Sequence, residues 1–468
     1  MAEKTYKGVR CSQWNPYTPM DTFYAYFGFG PTILARGEGN YVYNSRGKRY
    51  ILGNSGAWNF ALGYGREEII EAASNQMREL AFSSSWGLTH PKAMALAARL
   101  VQISSGNFAH VYLTSDGTET VEAAVKVARQ YHRQSPEKAE RGRYKIITLR
   151  GSYHGYSLGA CSAAGNPDYE DKYGPLPQGF VPIEPAYCYR CLFGEARYPE
   201  CGLACAQALE KTIQAEGPET VAAFLYEPIM GEHGVITPPD EYHQRVGEIC
   251  RRYGVLLVVD EVTTGFGRAG KLFFSQDWET QPDILCLGKI ISGGYLPLGA
   301  MLASETVFQR FMGQENYFMH GSTNSGHPVC AAVGLAAIEI ILREKLVENA
   351  ALVGARLKSG LEKLIERHEI IGNVRGSGLM LQVELVKNRK TKEPFTFEER
   401  LGFLLDAADR GLLISLDDFR IFPPLMIDES LADEIVSIID KSLRCGTVAE
   451  ISRKTRMIKE FVASKRKS

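Results

Sequence analysis

A lysine closes an apolar run in this chain: residues 283–288 read DILCLG, and Lys289 follows at once. Burying a lysine charge is expensive, and a desolvated lysine has a lowered pKa. A neutral amine is a nucleophile toward aldehydes and forms Schiff bases. Asp260 closes a second apolar run, VLLVVD (255–260). A partly buried carboxylate needs a cation or hydrogen-bond donors; a structural salt bridge would serve, and so would the protonated ring nitrogen of a cofactor. After KIITL (145–149) comes RGSYHGYS, which sets Tyr153 and His154 between glycines. That is either a loop with one packed aromatic or an aromatic stacked on a flat ligand ring. After HVYLT (110–114) comes SDGTETVEAAVKVARQY. Asp116 and Glu119 have capping-box spacing, and Val121, Ala124, Val125 and Ala128 form a helical apolar face. A glycine beside a helix N-terminus lets backbone N–H groups converge on an anion, although most such turns only cap a helix.

The elements that must hold these residues alternate. Short apolar strands at 110–114, 145–149, 221–226 (VAAFLY), 255–260, 283–288 and 299–304 (GAMLAS) are separated by helical patterns such as Tyr242 to Tyr253. Continuous rather than alternating apolar runs are those of strands covered on both faces. The fold class predicted is α/β, a mostly parallel doubly wound sheet that binds its ligand beyond the carboxyl ends of the strands. Upstream, residues 37–50 read as a hairpin, and helices fit 67–80 and 91–103, the latter with Met94, Leu96, Ala97 and Leu100 on its apolar face. Downstream, helices from Val329 and over 350–368, the strand-like runs LMLQVELV and LLISL, and a helix near 432–443 make a smaller α+β unit. The predicted partition is an N-terminal segment 1–62 joining the small domain, a large domain 63–328 and a C-terminal small domain 329–468.

With 468 residues and a formal net charge of -1, nothing points to a nucleic-acid partner. The tail after Ser452 carries Arg453, Lys454, Arg456, Lys459, Lys465, Arg466 and Lys467, the pattern of a solvated end. There is no apolar signal core and no apolar run near the ~20 residues that span a bilayer. A cytoplasmic location with reduced thiols is expected.

An anion cup, a ring-stacking aromatic, a buried aspartate and a buried lysine at successive strand ends fit one cofactor, pyridoxal 5′-phosphate (PLP), whose phosphate, ring face, ring nitrogen and aldehyde need those groups. At this point the sequence resembles the class III, or ω-aminotransferase, subgroup of PLP-dependent aminotransferases, of fold type I. YEPIMGEHGVITPP, VVDEVTTGFGRAGKLF, DILCLGKIISGGYLPLGAM and HGSTNSGHPVCAA carry the resemblance. It implies that Lys289 is the Schiff-base lysine and proton shuttle, that Asp260 pairs with the pyridinium nitrogen, and that Val262 packs on the ring face opposite Tyr153. It implies phosphate contacts from Gly117 and Thr118, with His154 and Glu227 among the cofactor positions. Thr323 matches a threonine that reaches the phosphate of a neighbouring subunit, so a homodimer or a dimer of dimers is implied. Trp58 matches a position over the entrance. Glu232 and Arg420 match a gating pair in which the arginine grips a donor carboxylate. Gly293 and Gly294 are expected to let backbone approach the cofactor closely. Asp116 stands where many members carry a small residue, Asn324 where an aromatic is common, and Ser415 near the place of a mobile arginine in amine–pyruvate members.

The implied reaction moves an amino group from an ω-, β- or γ-amino acid or amine to a keto acid such as pyruvate or 2-oxoglutarate. The same scaffold also hosts racemases, an aminomutase and lyases, and a non-catalytic binding protein is a further alternative. One feature is not a general family trait: Cys188, Cys191, Cys201 and Cys205, four of ten cysteines, are spaced C-x2-C-x9-C-x3-C within an insert at 186–206. That spacing allows zinc or an iron–sulfur cluster, with zinc ahead, or four reduced thiols in a surface excursion.

Overall fold

The computed structural model describes residues 5, 6, 9, 10, 14–16, 33–106, 108–194, 196–415 and 419–444; the basic tail lies outside them. Seven strands form the central sheet: β1 (Phe108–Thr114), β2 (Lys145–Leu149), β3 (Phe180–Ile183), β4 (Val221–Tyr226), β5 (Leu256–Asp260), β6 (Ile284–Leu287) and β7 (Gly299–Ser304). Their order is β1-β7-β6-β5-β4-β2-β3. The pairs β6–β5, β5–β4, β4–β2 and β2–β3 are parallel. Every residue of β4, β5 and β6 is buried, which is why their apolar residues run without alternation.

Strand β7 is antiparallel to both neighbours. The return from β6 holds a single 3-10 turn, Lys289–Ser292. A parallel partner would need a helical crossover, and this link has none. Lys289 therefore sits in the tight return itself.

Helix α1 (Gly117–Arg133) follows β1. Asp116 Oδ1 accepts the Glu119 N–H at 2.8 Å, and Glu119 reaches back to the Ser115 N–H at 2.8 Å. The predicted apolar face, Val121, Ala124, Val125 and Ala128, is buried against the sheet. On helix Pro91–Ile103, Leu96 and Leu100 are buried, whereas Met94, expected on the same face, is 60% exposed.

A second sheet contains β8 (Ile371–Ser377), β9 (Met380–Asn388), β10 (Glu393–Pro394) and β11 (Phe419–Ile421), with β9 at its centre. Strands β10 and β11 are too short to show a sequence period. Among the described residues of LLISL, Leu412–Leu413 forms strand, and it pairs in parallel with Arg49–Leu52. That pairing joins the C-terminal part of the chain to the predicted hairpin, whose strands are Tyr41–Asn44 and Arg49–Leu52. Among the described residues no helix is long and apolar enough to cross a membrane.

Candidate active site

The turns after β1, β2, β4, β5 and β6 meet at one end of the central sheet. Lys289 enters from β6 with φ +45°, a left-handed conformation that a lysine holds only when its surroundings dictate it. Its Nζ donates to Thr263 Oγ1 at 2.8 Å and lies 5.8 Å from the centre of the Tyr153 ring and 5.5 Å from that of Trp58. Burial lowers the Lys289 pKa; Asp260, Glu227 and Glu232 pull it back up, and Arg268 adds to the lowering. The resulting amine is closer to its neutral, nucleophilic form than a surface lysine.

Asp260 ends β5 and Glu261 follows it; both are buried, but they meet different partners. Asp260 Oδ2 lies 2.7 Å from His154 Nδ1, and its Oδ1 accepts the Val262 N–H at 3.0 Å. Glu261 instead accepts from Phe274 N, Ser275 N, Ser275 Oγ and Thr264 Oγ1 and braces the following loop.

Glu227, at the end of β4, accepts the Tyr153 N–H at 2.8 Å and the Gly231 N–H at 3.0 Å. Burial pushes its pKa up to about 7, with His154 opposing and Asp260 adding to the rise. It ties the aromatic loop to the segment that carries Glu232.

Gly117 opens α1 beneath Val262. A Cβ there would lie 2.7 Å from Val262 Cγ1, and one on Gly155 would lie 2.3 Å from Thr118 Oγ1. The Val262 side chain thus packs on Gly117, and the Gly155 backbone passes close to Thr118. On Gly294 a Cβ would meet Phe60 Cα at 2.7 Å, and on Gly293 it would meet Leu62 Cδ1 at 2.7 Å. Those glycines let the lysine turn pack closely on residues 59–62.

Trp58 is 7% exposed and forms a wall beside Lys289. It stacks on Phe422 at 4.9 Å, and the Arg420 guanidinium carbon lies 5.0 Å from the centre of its ring. Ser55 and Trp58 both have positive φ, +47° and +61°. Arg268, which sequence reasoning missed, holds this corner: its Nη2 donates to Ser55 Oγ at 3.3 Å and its Nη1 to the carbonyls of Leu379 and Pro423. Thr263 was missed as well. Both lie in the VVDEVTTGFGRAG segment already singled out, but their partners are distant in sequence. Arg420 Nη1 lies 3.1 Å from Glu232 Oε2, so the expected pair is formed.

Thr323 is exposed and lies in sequence between Gly321 and Ser325, which line a cavity of about 910 Å³ with Trp86, Leu88 and Met94.

The four insert cysteines line one cavity of about 210 Å³ and are free thiols. Of the two readings the spacing allowed, metal or reduced thiols, no metal site is shown: among the described residues no three His, Cys, Asp or Glu side chains are placed to hold an ion. Burial pushes the Cys205 thiol up to about 11 and raises Cys188 as well, so both are protonated at neutral pH.

The donor set fits a flat, phosphorylated, aldehyde-bearing cofactor. The glycine-lined helix start would take an anion, and the Asp260 carboxylate, fixed from both sides, would face a cationic ring. His154 Nε2 is buried with no hydrogen-bond partner among the described residues.

The sequence profile of Aminotransferase class-III matches residues 29–443. A taurine–pyruvate aminotransferase of Bilophila wadsworthia is 36% identical over 88% of this chain and 92% of its own. A solved (S)-enantioselective ω-transaminase from Thermomicrobium roseum is 41% identical, with a TM-score of 0.86 over 92% of this chain and 96% of that one. An amine transaminase from an uncultivated Pseudomonas species, solved in its PLP-bound form, is 35% identical, with a TM-score of 0.87 over 94% and 100% of the two chains. These likenesses span nearly the whole chain, and with the lysine–aspartate arrangement at the strand ends they establish that this protein belongs to the class-III aminotransferases, PLP-dependent transaminases of fold type I.

Proposed function

We propose that Lys289 carries the cofactor and moves the proton in each half-reaction, and that the amino donor bears a carboxylate held by Arg420. When bound, PLP supplies the aldehyde that takes up the donor nitrogen and a ring that withdraws electrons from the donor carbon. Asp260, fixed by His154 and Val262, would hold a proton on the ring nitrogen. Gly117 and Thr118 would receive the phosphate at the start of α1, where the helix dipole favours an anion. Tyr153 and Val262 would flank the ring. The Lys289 amine, made less basic by burial, would accept and return the donor proton with Thr263 as its resting partner.

The donor class rests on one observation: Arg420 is 3% exposed at its side chain and Glu232 38%, with 3.1 Å between them. A buried guanidinium needs a counter-charge. Glu232 supplies it from the solvent side and can swing away when a donor carboxylate takes its place in a bidentate grip. The taurine–pyruvate relative is named for a donor that carries a sulfonate, which supports an anionic group at the donor's far end. The neighbours named as ω- and amine transaminases support a second reading, acid-free amines lying against the Trp58–Phe422 stack.

Assembly as a homodimer would bring Thr323 of one copy toward the phosphate of the other. The exposed apolar residues Trp86, Leu88, Met94 and Met319 around the 910 Å³ cavity support it.

The test is a half-reaction. Holoenzyme is mixed with an ω-amino acid or with an alkylamine, without keto acid, and the loss of the cofactor's visible absorbance is followed. Pyruvate or 2-oxoglutarate should restore it. Reaction with alkylamines and with no carboxylate-bearing donor would overturn the donor class.

A further inference from the structure

Behind the gate pair lies a second layer of charge. The turn carrying Glu232 is strained: Gly234 has φ +91° and Val235, β-branched and buried, has φ +53°. A β-branched residue keeps that conformation only where its surroundings over-determine it. Two arginines of the second sheet do so. Arg420 Nη1 donates to the Glu232 carbonyl at 2.8 Å, and Arg375 Nε donates to the Gly234 carbonyl at 2.7 Å. Arg375 on β8 and Arg420 on β11 both lie opposite Gln382 on β9, so the three side chains leave one face of the sheet. Glu384, two residues along β9, shares that face and pairs with Arg375. It also receives Arg190 Nε at 2.7 Å and the Tyr187 hydroxyl. Tyr187 and Arg190 belong to the cysteine-rich insert, so the insert reaches the gate through the Glu384 carboxylate, and the Tyr187 ring also lies 4.9 Å from the Arg375 guanidinium carbon.

We infer that Glu384 is a positioning residue: it anchors Arg375 to the insert, Arg375 holds the Gly231–Val235 turn, and the turn keeps Glu232 against Arg420. The insert thereby sets the balance between donors with and without a carboxylate. This rests on the donor reading above. With the brace cut, Glu232 covers Arg420 less well. Donors with a carboxylate then meet less competition, while acid-free donors face an uncovered cation.

The test compares Glu384→Gln with the double variant Tyr187→Phe/Arg190→Gln, which cuts the same brace from the insert side. Both are assayed as holoenzyme, with an ω-amino acid and with an alkylamine as donor. The expected result is that KM falls for the ω-amino acid and rises for the alkylamine, shifting the ratio of kcat/KM between them by about tenfold, the size of one charge-assisted hydrogen bond. Amide hydrogen exchange over 229–236 should quicken in both variants. Equal losses for both donors would reduce Glu384 to a stability role and overturn the proposal, as would unchanged exchange in the turn. If the ω-amino acid fails to react with the wild type while the turn still loosens, the donor reading fails and the brace stands as structure alone, without a part in specificity.

Discussion

Lys289 Nζ donates to Thr263 Oγ1 at 2.8 Å, and the two residues come from the turns that follow adjacent parallel strands. The nucleophile is thus held by a neutral hydroxyl while the carboxylate of the same turn, Asp260, is engaged by His154 and Val262.

Lys289→Ala should leave the protein folded and without the visible absorbance of lysine-bound cofactor. Turnover should drop by roughly 10²–10⁴-fold from lost proton transfer alone. Thr263→Ala should cost about tenfold, one hydrogen bond to a group that becomes charged. Absorbance spectra and steady-state rates check both.

Asp260→Asn keeps an acceptor for the Val262 N–H but removes the charge. A buried pair broken on one side costs about 3 kcal/mol or more, so kcat should fall at least about 10²-fold. Bound cofactor, read by phosphate analysis, should fall less, because the phosphate grip is separate.

Glu227 gives a pH signature. Its pKa rises from 4.5 to about 7 in the folded chain. For a group raised on folding, the contribution to stability is fully present below 4.5 and is lost as pH rises through about 7. The swing is about 3 kcal/mol. Glu227→Gln cannot ionise, so its stability should change less between those pH values, and the wild-type minus variant difference should decline as pH rises. Denaturant titrations at several pH values read this. The glutamine offers a single acceptor to the Tyr153 and Gly231 N–H groups, so a constant offset from one lost hydrogen bond is expected at every pH.

Arg420→Ala should raise KM for an ω-amino acid by about 10²-fold, the worth of a bidentate charge-assisted pair. An alkylamine donor should be affected less than tenfold. Initial rates with the two donors decide it.

Gly117→Ala would place a methyl 2.7 Å from Val262 Cγ1. Overpacking of that kind costs about 1–3 kcal/mol, so cofactor dissociation should rise by roughly ten- to a hundredfold. Equilibrium dialysis of PLP measures it.

The parts of this site legible in the sequence were those whose reason is local. A charged residue ending a continuous apolar run marks a strand end, and β5 and β6 ended where Asp260 and Lys289 announced them. Asp116 capped α1 as its spacing required. Less legible were residues whose reason is a distant partner. The close packing of Gly293 and Gly294 on residues 59–62 has no sign in the local sequence. Strand β11, which carries Arg420, has three residues and shows no period; pairing with β9 makes it a strand. The cysteine spacing allowed metal or reduced thiols; the four thiols line one cavity, and no ion-holding group is found among the described residues.

By itself the sequence determined the α/β class, the order of the strands along the chain and the chemistry waiting at their ends, because burial on both faces writes itself as unbroken apolar runs and capping acts over a few residues. The tertiary structure decided which carboxylate faces Lys289 and which braces a loop, how the gate turn is strained into place, and that Glu384 joins the cysteine insert to Arg375. Those are questions of which face a side chain leaves and what meets it there, and contacts between residues nearly two hundred positions apart, such as Arg190 and Glu384, leave no trace in local spacing.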